Sequence, residues 1–430
     1  MPAITSAINF FRTIVSPLSA FFAGTGLTCC AFSLLSSTLA LRLSRNGVDT
    51  AEAGIILSLY YAGYVLASLS SYKIVNRVGH IRTFCAFISS FSALVPLHYI
   101  SPYPPYWGIL RLMEGYCIGT CFMCLESWLN TRANNKNRGM IMSLYMITTY
   151  LGSSLGQLLL NIPDKNGLIV YALVASLFSI ALVPVSLTAL PSPDITVHKS
   201  MSLRLLYKKS PVGVFGCFAS GFLVGAFYTL GAIYARQIGL DVKQTSVFMF
   251  CGIFGGMLAQ FPIGRLSDKR DRRYVLLWTS GFLFLIAPWI HYFIHDGTAL
   301  LALSAILLGS GTFVMYPICV SHVNDQLEDA ERTNASGMLI LLQSMGLIIG
   351  PIIISAVMQT FGNIWFLLSY SAVSGCFIIF ALKQIATKSV NYINVTPTDP
   401  MPVAPTHAYN ELTKDNNLID KAKGILTAKH

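Results

Sequence analysis

The chain has 430 residues, of which 54% are hydrophobic and only 11% are charged. Soluble globular proteins carry about a quarter charged residues, so this chain has too little charge to cover a soluble surface. This composition also disfavours disordered and collagenous chains. The net charge of +11 comes from basic residues scattered between apolar stretches, which disfavours a nucleic-acid-binding protein. The sequence therefore predicts an all-α polytopic membrane protein.

Twelve apolar stretches are long enough to cross a bilayer, for which a helix needs about 20 residues. Proline, glycine and asparagine separate several of them, as is typical of loops. The ten cysteines lie inside the apolar segments, where they are typical of small packing residues rather than of a disulfide framework. The predicted spans are 15–41, 52–72, 83–100, 106–128, 139–161, 167–190, 211–235, 244–263, 273–293, 298–321, 336–359 and 364–382.

The basic residues of the loops are distributed unequally between the two sides of the membrane. Sixteen lysines and arginines fall in the loops of one side and five in the loops of the other. Because basic residues accumulate in cytoplasmic loops, this bias predicts that the richer side and both chain termini face the cytoplasm. The five residues of the poorer side are Arg42, Arg45, Lys165, Arg236 and Lys243.

The two halves of the chain repeat each other weakly. Arg138 matches Arg332 at an offset of 194, and the basic loop at 73–82 matches the loop at 265–274 at an offset of 192. This repeat favours two pseudo-symmetric six-helix bundles. The predicted divisions are an N-terminal bundle at 1–190, a cytoplasmic linker at 191–210, a C-terminal bundle at 211–383 and a disordered cytoplasmic tail at 384–430.

Three ionisable residues, Arg111, Glu114 and Glu126, fall within the fourth predicted span. Helical geometry places them on one face about 120° wide, with Glu126 about 22 Å along the axis from Arg111. Because a charge facing lipid is costly, this face should contact the protein interior or a water-filled cavity. Two interpretations stay open, namely a substrate or proton site, or a structural ion pair with Glu126 near the membrane interface.

Uncharged polar residues in other spans are further candidates for the substrate site. They either line a cavity or join neighbouring helices, and the sequence does not distinguish these roles. These residues are Gln157, Gln260, Gln343, Tyr228 and Tyr234. Glycines four residues apart, which permit close helix contact, occur at Gly115/Gly119, Gly152/Gly156, Gly221/Gly225 and Gly346/Gly350. The sequence has no nucleotide-binding, metalloprotease or nucleophile-elbow motif, so we expect no cofactor, no bound metal and no enzymatic activity.

One loop resembles a signature of the major facilitator superfamily. The run Gly264-Arg265-Leu266-Ser267-Asp268-Lys269-Arg270-Asp271-Arg272-Arg273 resembles G-x-L-x-D-R-x-G-R-R. The equivalent run Tyr72-Lys73-Ile74-Val75-Asn76-Arg77-Val78-Gly79-His80 lacks the acid and the leading glycine, although this first copy is usually the stronger one in the family.

This resemblance implies a conformational latch between the halves, in which a signature aspartate contacts a helix start of the opposite half. Asp268 should approach the start of the fifth span near Arg138, and Asn76 should hold its own side near Arg332 more weakly. The residues assigned to this latch are Asn76, Arg77, Gly79, Gly264, Asp268, Lys269, Arg272, Arg138 and Arg332.

Two further runs carry the resemblance, which covers about residues 10–385. Arg111-Leu112-Met113-Glu114-Gly115 is similar to the helix-four motif of the family, with Glu114 in a glutamine position. Glu126-Ser127-Trp128-Leu129-Asn130, followed by Arg138-Gly139 and Tyr150-Leu151-Gly152, is similar to the YcaD-like bacterial branch. The proline-bearing antiporter motif of the fifth helix is absent, which disfavours a drug/proton antiporter.

The resemblance implies a secondary active transporter that moves a small solute across the bacterial inner membrane by alternating access, with protons as the candidate coupling ion. It also implies that helices 1, 4, 7 and 10 are innermost. We expect a monomer in the lipid bilayer with no nucleic-acid partner. Two alternatives stay open: an uncoupled facilitator with a static Arg111–Glu114 pair, and a non-transporting membrane sensor that signals through the C-terminal tail.

Overall fold

The computed structural model describes residues 16–132, 138–164, 167–187, 201–294 and 296–387. Twelve long helices, numbered α1 to α12, and a short linker helix, Leu203–Lys209, contain most of these residues. The long helices are α1 Ser16–Arg45, α2 Thr50–Val78, α3 His80–Leu94, α4 Pro104–Arg132, α5 Arg138–Leu158, α6 Leu168–Ser186, α7 Pro211–Gln237, α8 Val242–Lys269, α9 Arg272–Phe293, α10 Thr298–Asn324, α11 Asp329–Phe361 and α12 Trp365–Thr387. The 3-10 turns Val95–Tyr99 and Leu159–Asn161 extend α3 and α5.

Eleven of the long helices are long and apolar enough to cross a membrane. The other, α5, has 21 residues. Among its polar side chains, Thr149 and Ser153 face the space between the bundles, and Gln157 faces α1. These polar groups of α5 therefore lie inside the protein.

Several helices extend beyond the predicted spans. α2 ends at Val78 rather than at 72, and α8 ends at Lys269 rather than at 263. The predicted spans stop where charge begins, whereas the helices continue past the first charged residues. α12 likewise continues past the predicted span end at 382 to Thr387, and the residues beyond 387 lie outside the described residues.

The helices pack in two bundles of six. In the first bundle α1 packs on α5 and α6, α4 packs on α2 and α3, and α3 also packs on α6. Adding six to each helix number gives the packing of the second bundle. We call the end with the α2–α3 and α8–α9 connections the basic end, and the end with the α1–α2 and α7–α8 connections the opposite end.

The closest crossing in the first bundle joins α2 to α4 through two glycines. A Cβ atom on Gly63 would lie 1.9 Å from the Leu112 carbonyl oxygen, and one on Gly115 would lie 1.9 Å from the Tyr60 carbonyl oxygen. Neither position has room for a methyl group. This crossing fixes the position of Arg111 and Glu114 on α4 relative to Tyr60 on α2.

The second bundle repeats this crossing. A Cβ atom on Gly255 would lie 2.5 Å from the Ile306 carbonyl oxygen, and one on Gly309 would lie 1.8 Å from the Gly252 carbonyl oxygen. The offsets from the first bundle are 192 on α8 and 194 on α10, the two offsets of the sequence repeat. The predicted all-α fold with two pseudo-symmetric six-helix bundles is confirmed, while the domain bounds stay a prediction.

The linker helix is attached to the start of α11. The Lys209 Nζ atom lies 2.5 and 2.6 Å from the two carboxylate oxygens of Glu331, and the backbone N–H of Met201 donates to the Asn334 carbonyl oxygen. The hydrogen bond from Lys209 lowers the pKa of the Glu331 carboxyl group. This end of the linker therefore belongs structurally to the second bundle.

We expect Lys209→Gln to lower the free energy of unfolding by less than about 1 kcal/mol, because the pair is partly exposed to solvent. The folded-state pKa of Glu331 is lowered, so its stabilising contribution is present above the unfolded pKa and is lost as the pH falls through the acidic range. Thermal unfolding should therefore separate Lys209→Gln from the parent at neutral pH and not at strongly acidic pH. Arg204→Gln on the exposed face of the same helix is the control.

Candidate functional site

A cavity of about 190 Å³ lies between the two bundles near the middle of their helices, and we call it the central cavity. Its lining comes from α1, α2, α4 and α5 in the first bundle and from α7, α10 and α11 in the second. The resemblance implied innermost helices 1, 4, 7 and 10; helices α2, α5 and α11 join them at this cavity. Both bundles therefore contribute to one site.

Aromatic rings and hydroxyl groups dominate the lining of the central cavity. Seven of its residues are tyrosines, and among the described lining residues none is charged. Such a lining offers ring faces for stacking and hydroxyls for hydrogen bonds. The tyrosines are Tyr60, Tyr61, Tyr64, Tyr145, Tyr150, Tyr228 and Tyr316.

Two of the candidates from the sequence lie at this cavity. Tyr228 lines it with its ring edge-on to Phe313, at a centroid distance of 5.6 Å. Gln343 lines it from α11, next to Ser344, and offers an amide group among the hydroxyls. Both side chains therefore lie at the wall of the central cavity.

Glu126 lies directly behind the cavity wall. Its side chain is fully buried, and Oε1 accepts a hydrogen bond of 2.8 Å from the Tyr145 hydroxyl group, which belongs to a residue of the cavity lining. Trp128, two residues on, is also buried and lies 5.0 Å from the Phe21 ring. Both side chains therefore point into the first bundle rather than away from it.

Arg111 and Glu114 form a buried ion pair inside the first bundle. Arg111 Nη1 lies 3.0 Å from Glu114 Oε2, and the guanidinium carbon lies 4.5 Å above the Tyr60 ring. Arg111 is only 2% exposed and does not line the central cavity, whereas Tyr60 does. The charge is held by a carboxylate and by an aromatic face, two partners that suit a guanidinium away from water.

The sequence interpretation missed a third member of this group, His98. Its Nδ1 atom lies 3.5 Å from Glu114 Oε1, and both side chains are fully buried. That distance leaves both of these atoms without a hydrogen bond among the described residues. Pro96, which lacks an N–H donor, opens the 3-10 turn that carries His98 at the end of α3. A lone histidine in an apolar span was the available signal.

The remaining polar candidates lie away from the central cavity. Gln157 joins α5 to α1, donating to Ser33 and accepting from Ser37 at 2.8 Å. Tyr234 is buried in the second bundle, where its ring stacks on Phe366 at 4.7 Å. Gln157 and Tyr234 therefore pack helices, so the structure gives neither of them a place against a solute.

Gln260 lies at a second cavity, of about 360 Å³, which extends from the central region to the basic end between α5, α8 and α10. Tyr150, which lines this cavity together with Gln260, also lines the central cavity. The two cavities thus share part of their wall, and Gln260 stands on the route from the central cavity to the basic end.

Asp268 of the signature loop lies at the wall of this second cavity. Its Oδ1 atom is 3.2 Å from Arg272 Nη1, its side chain is 51% exposed, and Arg272 Nε also donates to Asp325 at 2.6 Å. Ser143, near the start of α5, lines the same cavity. In this conformation Asp268 pairs with Arg272, and the Arg138 side chain lies outside the described residues.

The other latch candidates also lie at the basic end. Asn76, Arg77 and Lys269 are exposed, Gly264 lines the second cavity, and Gly79 joins α2 to α3 with a positive φ of 88° that favours glycine. Arg332 donates through Nε to the Asn324 carbonyl oxygen at 3.0 Å. The described contacts do not bring Asn76 to Arg332.

Hydrogen bonds between the bundles concentrate at the opposite end. The Thr50 backbone N–H donates to Gln359 at 2.9 Å, and Gln237 donates to the Thr50 hydroxyl at 2.7 Å. On the other side of the interface, Asn161 donates to Ser246 at 3.0 Å, and Ser246 donates to the Gln157 carbonyl oxygen at 2.7 Å. These contacts join α2 to α7 and α11, and α5 to α8.

A family model described as Major Facilitator Superfamily matches this chain at residues 21–287 and 215–427. A protein of Shigella flexneri serotype 5b, described as the uncharacterized MFS-type transporter YcaD, is 25% identical over 376 residues, which are 86% of this chain and 97% of that protein. The protein of the same description from Escherichia coli K12 is 24% identical over the same shares.

Solved structures share the fold at low sequence identity. The nucleoside transporter NupG has a TM-score of 0.68 and 16% identity, covering 86% of this chain and 98% of its own. A bacterial homolog of the human lysosomal transporter Spinster, in an inward-facing and occupied conformation, has a TM-score of 0.69 and 13% identity, covering 88% and 98%. At these identities the likeness shows the fold alone. The sequence relatives, together with the apolar helices, indicate a multi-pass transport protein of the bacterial inner membrane.

Proposed function

This chain belongs to the Major Facilitator Superfamily, and we propose that it is a secondary active transporter that moves a small solute by alternating access. The observation that carries this proposal is the central cavity, which both bundles line and which inter-bundle hydrogen bonds close off at the opposite end. A cavity shared by two bundles changes its access when the bundles rock against each other.

We infer that the basic end faces the cytoplasm, because sixteen of the loop lysines and arginines lie on that side. With this orientation the structure is inward-facing, since the second cavity leads from the central cavity to the basic end. The fold likeness to a bacterial protein solved in an inward-facing conformation is consistent with this assignment.

The chemistry of the central cavity favours a solute with a ring or another flat apolar part and a few hydrogen-bonding groups. Tyrosine rings supply the stacking surfaces, and Gln343, Ser344 and Thr149 supply donors and acceptors. The guanidinium group of Arg111 packs against the Tyr60 ring behind one wall, where Glu114 balances its charge. Residues Tyr228 and Gln343 are the substrate-contact candidates that this geometry supports.

We further propose proton coupling through Glu126. A buried carboxyl group behind the cavity wall, hydrogen-bonded to a cavity tyrosine, can take up and release a proton as access alternates. Glu114 is the weaker candidate, because its carboxylate already neutralises Arg111. The same static pair is the observation that favours the alternative of an uncoupled facilitator. The sensor alternative depends on a tail that lies outside the described residues.

The latch at the basic end completes the proposed cycle. When the basic end closes, Asp268 is expected to leave Arg272 and meet the N-terminus of α5, where a carboxylate is stabilised by about 0.3–1 kcal/mol, and by up to ~2 kcal/mol if partly buried. Since 1.4 kcal/mol corresponds to a factor of about ten, this contact is enough to shift a balanced two-state equilibrium several-fold. Asn76, which is uncharged, should contribute less.

Distances between spin labels test the proposed cycle. Labels at Lys73 and Lys269 report the basic end, and labels at Asn46 and Asp296 report the opposite end; all four positions are exposed, and Cys376, also exposed, is first replaced by serine. Alternating access predicts that a ligand found by a thermal-shift screen shortens one distance as it lengthens the other. Distances that stay fixed, or change in the same direction, would refute the proposal.

The same distance measurement tests the latch when it is repeated on variants of its two signature positions. Asp268→Asn should increase the inward-facing population clearly, and Asn76→Ala should do so less. Equal shifts from both variants, or none from Asp268→Asn, would contradict the asymmetric latch while leaving alternating access itself intact.

A further inference from the structure

Most of the basic residues on the poorer side of the membrane converge on one cavity. Five such residues were counted from the sequence, and four of them line a cavity of about 640 Å³ at the opposite end, which we call the outer vestibule. The fifth, Lys165, lies outside the described residues. The four are Arg42, Arg45, Arg236 and Lys243, and they come from the ends of α1 and α7 and the start of α8.

The vestibule adjoins the inter-bundle hydrogen bonds that close the opposite end. Its lining includes Thr38, Leu41 and Asn161. Asn161 donates to Ser246, one of the hydrogen bonds that join α5 to α8 across the two bundles. Residues from both bundles form its walls. A molecule in this cavity would therefore contact both bundles next to these hydrogen bonds.

Arg42 is fixed in the vestibule wall by its own contacts. Its guanidinium group donates to the Gly167 carbonyl oxygen and lies 4.6 Å from the centre of the Tyr171 ring. Gly167 has a φ of 76°, and a Cβ atom there would overlap the Arg42 side chain, so glycine is required for this approach. The chain thus holds one of the four charges in place.

The vestibule contains one acidic residue, Asp164, and its carboxylate is already engaged. Its oxygens accept from the backbone N–H groups of Gly167 at 2.6 Å and Val170 at 3.0 Å, where they cap the start of α6. Although partial burial opposes the effect, these donors and the charge of Arg42 lower the pKa of Asp164. Among the described residues Arg45, Arg236 and Lys243 form no ion pair, so the cavity keeps an excess of positive charge.

We propose that the outer vestibule binds an anionic group, a carboxylate or phosphate, carried either by a soluble solute or by a lipid headgroup. Basic residues are depleted on this side of the membrane, and those that remain surround one concave site rather than being spread over the loops. A cavity lined by one sign of charge raises the local concentration of the opposite ion. This proposal concerns binding and does not depend on transport, so its failure and that of the proposed cycle are distinguishable.

Binding of pyrophosphate to the purified full-length protein tests the soluble form of the proposal. In a neutral detergent, isothermal titration should give one saturable site per chain. Removing two unit charges near the ligand in the Arg45→Gln/Lys243→Gln variant should weaken binding about tenfold or more. Raising the ionic strength from about 0.01 M to about 0.1 M shortens the Debye length from about 30 Å to about 10 Å and should weaken binding further.

Lipid discs test the headgroup form. Discs of phosphatidylglycerol should raise the temperature at which the protein unfolds relative to discs of phosphatidylcholine. The Arg45→Gln/Lys243→Gln double variant, here called the vestibule variant, should lose this increase. The matched control is Lys73→Gln/Lys269→Gln, which removes two exposed charges from the basic end. Pyrophosphate binding that is lost only in the vestibule variant identifies a soluble anion, and phosphatidylglycerol stabilisation without pyrophosphate binding identifies a headgroup. Neither response, or equal losses in both double variants, would overturn the proposal.

Discussion

Replacing Gly115 by alanine should destabilise the protein by about 3 kcal/mol or more, at the upper end of what overpacking costs. The new Cβ atom would lie 1.9 Å from the Tyr60 carbonyl oxygen, and a backbone atom cannot move aside as a side chain does. Helices α2 and α4 would have to separate. We expect a large fall in the unfolding temperature or a loss of folded protein, measured by thermal unfolding and size-exclusion chromatography in detergent.

The pseudo-symmetry supplies both a parallel case and a control. Gly309→Ala, the equivalent change in the second bundle, should have a similar effect because its Cβ atom would lie 1.8 Å from the Gly252 carbonyl oxygen. Gly281→Ala on α9 meets nothing within 4 Å and should be neutral or stabilising by up to about 1 kcal/mol, through helix propensity alone. If Gly115→Ala behaves like Gly281→Ala, the close crossing is wrong.

The α2–α4 crossing also sets the geometry of the buried charges. Tyr60 is on α2 and Arg111 on α4, and the 4.5 Å distance between the guanidinium carbon and the ring centre depends on how closely these helices approach. If the helices separate, the Arg111–Glu114 pair loses its close contact with the Tyr60 ring. Buried charges are destabilising when their partners are lost. Gly115 therefore affects both the stability of the bundle and the wall of the central cavity.

The sequence predicted those features that depend on the local pattern of the chain. Apolar length identified the spans, and the charges at Arg111, Glu114 and Glu126 identified α4 as a buried helix because lipid would not accept them. The glycines at 115 and 119 indicated a close-packed surface, and a Cβ atom on either would lie within 3 Å of α2. These predictions need only the spacing along one helix.

Features that depend on how the bundles meet could not be predicted in the same way. Gln157 and Gln343 occur in similar apolar settings, yet Gln157 joins α5 to α1 while Gln343 lines the central cavity. The role of His98 depends on the 3-10 turn that brings it within 3.5 Å of Glu114. The convergence of Arg42 and Lys243 on one vestibule requires the packing of both bundles at the opposite end.

Replacing Glu126 by glutamine should abolish proton movement driven by the solute while leaving solute exchange intact. Glutamine keeps the shape of the side chain and its place beside the Tyr145 hydroxyl. Its amide group does not titrate, however, so it cannot take up and release a proton during the cycle. In proteoliposomes with an internal pH dye, the parent should show a pH change upon addition of a solute identified by thermal-shift screening, and Glu126→Gln should not. Exchange of radiolabelled solute between the two sides should persist.

Two controls separate the role of the carboxyl group from a general defect. Tyr145→Phe removes the 2.8 Å hydrogen bond but keeps the carboxyl group, so coupling should remain and its pH dependence should shift. Glu52→Gln removes an exposed acid at the opposite end and should change nothing. Infrared difference spectra give a readout that needs no solute, because a protonated Glu126 contributes a carboxyl band that Glu126→Gln lacks. Unchanged proton movement in Glu126→Gln would remove Glu126 from the mechanism and favour the uncoupled facilitator, in which the Arg111–Glu114 pair serves only to hold α4 in place.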